Sequence, residues 1–279
     1  MRRARWLIAI ATLALAASAC SSEKAAIRGD LPTAIAAAGD SMTRAFNVGE
    51  CCAWSDAPAY SWATGDEPGI LSHYQRLKKL QPNIREFNVA KTGAKMADLA
   101  RQLRLAASYR IDYLTVFIGA NDLLAMKKRS GETCTVDPSR MTSVETFRGQ
   151  FRDALRAFTA LRPKAKVLVA SIIDIPRMAR MLSTSSIAVA VWRKAGGCAG
   201  LESSPKTDGA FEAASARLAA YNAALASTCK TFAQCRWDGG AIYRFAFSKA
   251  DFSPVDYFHP STQGQRHLAE VTWRAGYWG

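Results

Sequence analysis

"TAIAAAGDSM", residues 33–42, begins as a strand and ends as a turn. Thr33 to Gly39 carry no charge, and a run of that length with small and β-branched side chains suits a strand covered on both faces. Gly39, Asp40 and Ser41 then close it, as residues of this kind close strands and cap the helix after them. The same three residues also put a serine hydroxyl at a strand end, so Ser41 is a candidate nucleophile as well as a turn residue.

Working outward, four more apolar runs have strand length: "REFNVA" (85–90), "DYLTVFIG" (112–119), "AKVLVASII" (165–173) and "AIYRFAF" (241–247). Helical patterns lie between them: "LSHYQRLKKL", "KMADLARQLRLAAS", "SVETFRGQFRDALRAFTAL", "GAFEAASARLAAYNAALASTC" and, at the end, "PSTQGQRHLAEVTWRAG". In the third, Phe147, Phe151, Leu155 and Phe158 share one face at steps of three and four. Alternation at this spacing predicts a parallel sheet with helices on both faces, whose function gathers at the C-terminal strand ends. A chain of 279 residues with 49% hydrophobic content can bury one large core, and residues 32–279 read as a single domain.

The first twenty residues, "MRRARWLIAIATLALAASAC", read as an export signal: Arg2, Arg3 and Arg5, an apolar stretch, then small residues before Cys20. Ala17 to Cys20 are similar to a bacterial lipobox, with Cys20 as the lipidated residue and residues 21–31 as a tether; the same letters also fit cleavage to a free secreted protein. Localisation is therefore read as exported, either lipid-anchored to the cell envelope or secreted. Six cysteines remain, Cys51, Cys52, Cys134, Cys198, Cys229 and Cys235, an even number that in an exported chain predicts disulfides. Cys229 and Cys235 are close enough for a local bridge, and Cys51 and Cys52 are expected to reach separately to Cys134 and Cys198. Cysteine and histidine spacing gives no metal signature, the only histidines being His73, His259 and His267.

The net charge of +14 becomes +11 without the three signal arginines, 34 basic against 23 acidic residues. Such a balance favours an anionic membrane or cell-wall surface. Nucleic acid is disfavoured, because the basic residues are scattered.

The strand ends carry the chemistry. The second leads to "NVAKTGA" with Gly93, the third to "GAND" with Asn121 and Asp122, and "SPVDYFHPSTQGQ" places Asp256 three residues before His259. A serine hydroxyl needs a base to take its proton, which histidine can be, and an aspartate on the other ring nitrogen fixes the tautomer and stabilises the imidazolium. The Ser41 N–H, the Gly93 N–H and the Asn121 amide are candidate donors to an oxyanion. Asp40 and Asp122 are expected to hold backbone amides, and His73 and His267 to be structural or surface residues. Trp54, Trp62 and Trp192 read as packing residues, with an acyl groove as the alternative.

These blocks, "GDSM", the Gly93 segment, "GAND" and "DYFH", resemble the four blocks of the SGNH, or GDSL, hydrolases, in family order across residues 39–259. Met42 stands where the motif has Leu. "YSWATGDE", "LQPNIREFNVA", "TGAKMADLARQ" and "LTVFIGANDL" are similar to the phospholipase B branch. The resemblance implies a three-layer α/β/α flavodoxin-like fold with a mostly parallel five-stranded sheet, a Ser41, His259, Asp256 triad, and no metal or organic cofactor. It also implies hydrolysis of carboxylic esters of lipids or phospholipids. The alternatives are a polysaccharide or small-ester deacetylase with the same triad, and a non-catalytic surface-binding protein.

Overall fold

The computed structural model describes residues 31–125, 127–130, 133–194 and 208–279, with the side chains of 127–130, 133–136, 193, 208 and 210 outside the description. Its centre is a five-stranded parallel sheet of β1 (Ala34–Gly39), β2 (Arg85–Asn88), β3 (Tyr113–Phe117), β6 (Lys166–Val169) and β7 (Cys235–Trp237), in the order β2-β1-β3-β6-β7. A separate antiparallel hairpin pairs β4 (Lys127–Ser130) with β5 (Thr133–Val136), an element that the sequence pattern does not signal.

Every residue of β1 and β3 is buried, as two-sided cover demands. On one face Ala36, Leu114, Val116, Val167 and Val169 pack with Leu99 and Leu103 of α2 (Met96–Ser108), the four expected residues Phe147, Phe151, Leu155 and Phe158 of α4 (Val144–Leu161), and Leu218 and Leu225 of α7 (Asp208–Cys229). On the other, Ile35, Tyr113 and Leu168 meet Tyr74 and Leu77 of α1 (His73–Leu80) and Trp273 of α9 (Thr262–Ala275). Alanines in β1 keep that strand thin enough for helices to approach from both sides.

The remaining helices, α3 (Ala120–Leu124), α5 (Ile175–Leu182), α6 (Ser186–Lys194) and α8 (Ala241–Arg244), gather after strand ends. The last corrects the sequence reading, which placed the fifth strand at 241–247. Gly239 and Gly240, both left-handed at φ +70 and +80, break the chain there, and α8 comes directly after them. The fifth strand lies earlier, at three residues with Arg236 in the middle, too short and polar to stand out.

The order 2-1-3-4-5 of the parallel strands reverses direction beside β1, so a crevice for ligands is expected just beyond its C-terminal end. Ser41 lies there.

Candidate active site

Gly39 makes the sharp exit from β1. Its φ is +153, and a Cβ there would lie 2.2 Å from the Phe117 carbonyl oxygen, so no larger residue fits. Gln102 of α2 grips the turn: its Nε2 donates to the Gly39 carbonyl (2.9 Å), which also accepts the Lys91 N–H (3.1 Å), and its Oε1 accepts the Gly39 N–H (2.8 Å). The chain then turns helically, with Arg44 N–H donating to the Asp40 carbonyl and Phe46 N–H to that of Ser41. Gln265 of α9 donates to the Met42 carbonyl at 2.9 Å, clamping the turn from the helix side.

Ser41, His259 and Asp256, 218 residues apart at the extremes, form one hydrogen-bonded chain. His259 Nε2 lies 2.9 Å from Ser41 Oγ, and His259 Nδ1 lies 2.6 Å from Asp256 Oδ2. Asp256 Oδ1 accepts the N–H groups of Phe258 (2.9 Å) and His259 (3.0 Å), so the three-residue spacing builds a tight turn around the carboxylate. Burial works to raise the Asp256 pKa, and the hydrogen bonds from His259 and Asn47 outweigh it, leaving the carboxyl below its ordinary range. The Phe46 and Phe258 rings meet the imidazole edge-on at 5.1 and 4.9 Å. Such an arrangement can pass a proton from hydroxyl to imidazole and hold the charge that results.

The other candidate donors, Gly93 and Asn121, follow the C-terminal ends of β2 and β3, the strands that flank β1 in parallel. Gly93 adopts φ +82 with open space where a Cβ would point. Asn121 Nδ2 donates one hydrogen to the Ala94 carbonyl at 3.0 Å, which fixes the amide beside the Gly93 loop and leaves its second hydrogen for a ligand. Among the described residues no protein acceptor takes the Ser41 or Gly93 N–H. Asp40 and Asp122 hold backbone amides as expected: Asp40 accepts the Met42 N–H at 3.0 Å, and Asp122 the Met96 N–H at 2.8 Å. Burial pushes Asp40 up to about 7 despite its Met42 bond, with Asp122 adding to the rise.

Three contacts have no signal in the sequence. Asn47 Nδ2 donates to Asp256 Oδ2 at 2.6 Å across 209 residues, Trp192 Nε1 donates to the Asp256 carbonyl at 2.9 Å, and Gln102 supports Gly39. A lone Asn, Trp or Gln at such separation reads only as a turn or packing residue. Trp62 and Trp192 are buried as expected; Trp54 is 64% exposed, contrary to its reading as a packing residue.

Cysteine pairing needs a second correction. Cys229 and Cys235 form the expected disulfide. Cys51 and Cys52 are unbridged: they sit side by side in a single 3-10 turn, Glu50–Cys52, on the surface. Cys20, Cys198 and the Cys134 side chain lie outside the described residues. Among the described residues no group of three metal-ligating side chains occurs, and no helix is long and apolar enough to cross a membrane.

The model of the GDSL-like lipase/acylhydrolase family matches residues 37–267. Similar solved structures include a family 3 carbohydrate esterase from Clostridium thermocellum, 12% identical, with TM-score 0.48 over 87% of this chain and 94% of that one. The acetyl xylan esterase AlAXEase is 15% identical, with TM-score 0.49 over 88% of this chain and 100% of that one. A G-D-S-L family protein from Desulfitobacterium hafniense DCB-2 is 12% identical, with TM-score 0.48 over 88% and 99%. No curated protein matches the chain. With a family match across most of its length, the chain belongs to the GDSL-like lipase/acylhydrolase family.

Proposed function

We propose that the protein is an exported serine esterase that hydrolyses carboxylic esters of lipids or phospholipids. The observation that carries the mechanism is the unbroken hydrogen-bond chain from Ser41 Oγ through His259 to Asp256. Ser41 Oγ attacks the ester carbonyl while His259 Nε2 takes the hydroxyl proton, and the negative Asp256 stabilises the imidazolium. The tetrahedral oxyanion is met by the N–H groups of Ser41 and Gly93 and by Asn121 Nδ2. Imidazolium returns its proton to the leaving alkoxide, which departs as an alcohol and leaves the acyl group on Ser41. Water then attacks the acyl-serine, His259 again acting as base, and releases the carboxylic acid.

The lipid reading is supported by the likeness to the phospholipase B branch, by the basic balance of the chain and by Trp54, a large apolar side chain exposed on the loop beyond Ser41. The signal-like first twenty residues support export, with Cys20 as the site of a lipid anchor or a free mature chain as the product. A basic surface suits the anionic face of an envelope. A series of p-nitrophenyl esters from acetyl to palmitoyl, with Ser41→Ala as control, tests the proposal. Rising kcat/KM with chain length, abolished in the control, is expected. Preference for acetyl esters would move the substrate to the acetyl groups of a polysaccharide, and equal hydrolysis by the control would remove Ser41 as nucleophile.

A further inference from the structure

We propose that Asn47 is a positioning residue: it locks the Asp256 carboxylate against the loop that carries Ser41, and so sets His259 in line with the nucleophile. The proposal rests on the triad reading above and extends it to a residue outside the triad. Asp256 takes four N–H donors. Three belong to its own turn, the amides of Phe258 and His259 and the ring of His259. Asn47 Nδ2, at 2.6 Å, is the one side-chain donor to that carboxylate from elsewhere among the described residues. It closes a ring: Ser41 to Asn47 along the chain, Asn47 to Asp256, Asp256 to His259, and His259 back to Ser41 Oγ. Without that bond the 256–259 turn keeps its internal geometry and its Trp192 bond at the Asp256 carbonyl, but its carboxylate loses the hydrogen bond that ties it to the loop carrying Ser41.

The other end of the amide is also used. Asn47 Oδ1 accepts the Trp54 N–H, which ties down the loop bearing Cys51 and Cys52. Asn47 is fully buried, and the loop holds three non-glycine residues in the left-handed region: Ala45 at φ 50, Asn47 at φ 54 and Trp54 at φ 59. Asn tolerates this conformation better than most residues, whereas Ala and Trp adopt it at a cost. Strain of this kind persists where the surroundings over-determine it. An Arg44–Asp56 ion pair at 3.0 Å, and the Thr92 hydroxyl on the same carboxylate, anchor the far end of the loop beside Gly93. The loop that carries Asn47 is thus tied to Asp256 at one end and to the segment before Gly93 at the other.

The test uses Asn47→Gly, which removes the amide without asking a new side chain to adopt a left-handed backbone, and Asn47→Asp, which keeps the Trp54 acceptor and replaces the amide donor with a second carboxyl facing Asp256. Each is measured with an activated ester in the full chain, alone and combined with Asp256→Ala. Displacing a catalytic group by about 1 Å costs on the order of 100-fold, so a fall of roughly that size in kcat is expected, with KM within about twofold. In the Asp256→Ala background, Asn47→Gly is expected to add less than about a twofold loss, because its partner is already gone. Wild-type kcat in both Asn47 variants, or full multiplication of the two losses, overturns the proposal. Activity surviving Ser41→Ala overturns instead the triad reading beneath it, so the two failures are told apart.

Discussion

His73 and His259 each have both ring nitrogens hydrogen-bonded, yet they stand in opposite electrostatic settings. His73, at the start of α1, lies fully buried with Nδ1 2.9 Å from the Tyr113 hydroxyl and Nε2 2.9 Å from Thr272 Oγ1. Trp62 and Trp273 meet its ring edge-on. Burial, with Arg76 nearby, drives its pKa from 6.5 down to about 3, so the ring stays neutral and serves as a strut between α1, β3 and α9. His259 sits at the rim with a carboxylate on one nitrogen and a serine hydroxyl on the other. Hydrogen-bond count therefore does not separate the two rings. They differ in having, or lacking, an anion able to stabilise the positive charge that proton transfer creates and a serine hydroxyl able to supply the proton.

That contrast breaks most directly by mutation. Ser41→Ala and His259→Ala should each lower kcat by at least about a thousandfold, with little change in the melting temperature and no further loss when combined, because the two act as a unit. His73→Leu should do the reverse, lowering stability and leaving kcat of the folded enzyme near wild type. Thermal melts beside kinetics on the same preparations check both. A large kcat loss in His73→Leu would erase the distinction.

Next in size is Asn121→Ala, expected to lower kcat roughly a hundredfold with KM unchanged, since an oxyanion donor acts in the transition state. A change confined to KM would make Asn121 a substrate-binding residue.

The pH dependence of folding sharpens the His73 side. Its folded pKa of about 3 lies below the 6.5 of the free side chain, so between those values the unfolded chain binds the extra proton. The contribution is present above pH 6.5 and is lost as pH falls toward 3, with a slope of up to about 1.4 kcal/mol per pH unit. Denaturant titrations from pH 7 to 4 should show the slope in the wild type and a shallower one in His73→Leu. Equal slopes would mean that His73 charges inside the core.

The smallest effect is expected for Gly93→Ala. The left-handed φ of +82 costs an alanine about 1 kcal/mol, and the methyl would point into open space. Stability should fall by that amount, and a loss of activity larger than the stability change would show that the open space belongs to substrate.

Local pattern and long-range contact divide the features that the sequence reveals from those it hides. The apolar runs at 33–39, 112–119 and 165–173 contain β1, β3 and β6, because burial on both faces leaves a nearly uninterrupted apolar stretch, whereas β2, within 85–90, is an edge strand with two exposed and two half-buried residues. The Asp256 to His259 turn is equally readable, its geometry lying within four residues. By contrast β7 hides behind Arg236 and a length of three residues, while "AIYRFAF" looks like a strand until Gly239 and Gly240 turn the chain. Cysteine pairing by count fails at Cys51 and Cys52, because counting carries no information about where a surface turn places two sulfurs. Asn47 is the sharpest case: nothing in "AFNVGE" tells of a carboxylate 209 residues away.

Mechanism-based labelling of Ser41 tests the central claim most directly. A fluorophosphonate ester reacts with a serine whose proton is withdrawn by a neighbouring base, and intact-mass measurement counts the adducts. The account predicts one adduct per chain, mapped to Ser41 by peptide sequencing, absent in Ser41→Ala and strongly slowed in His259→Ala. A wild-type protein that stays unlabelled, or that is labelled at another serine, would contradict it.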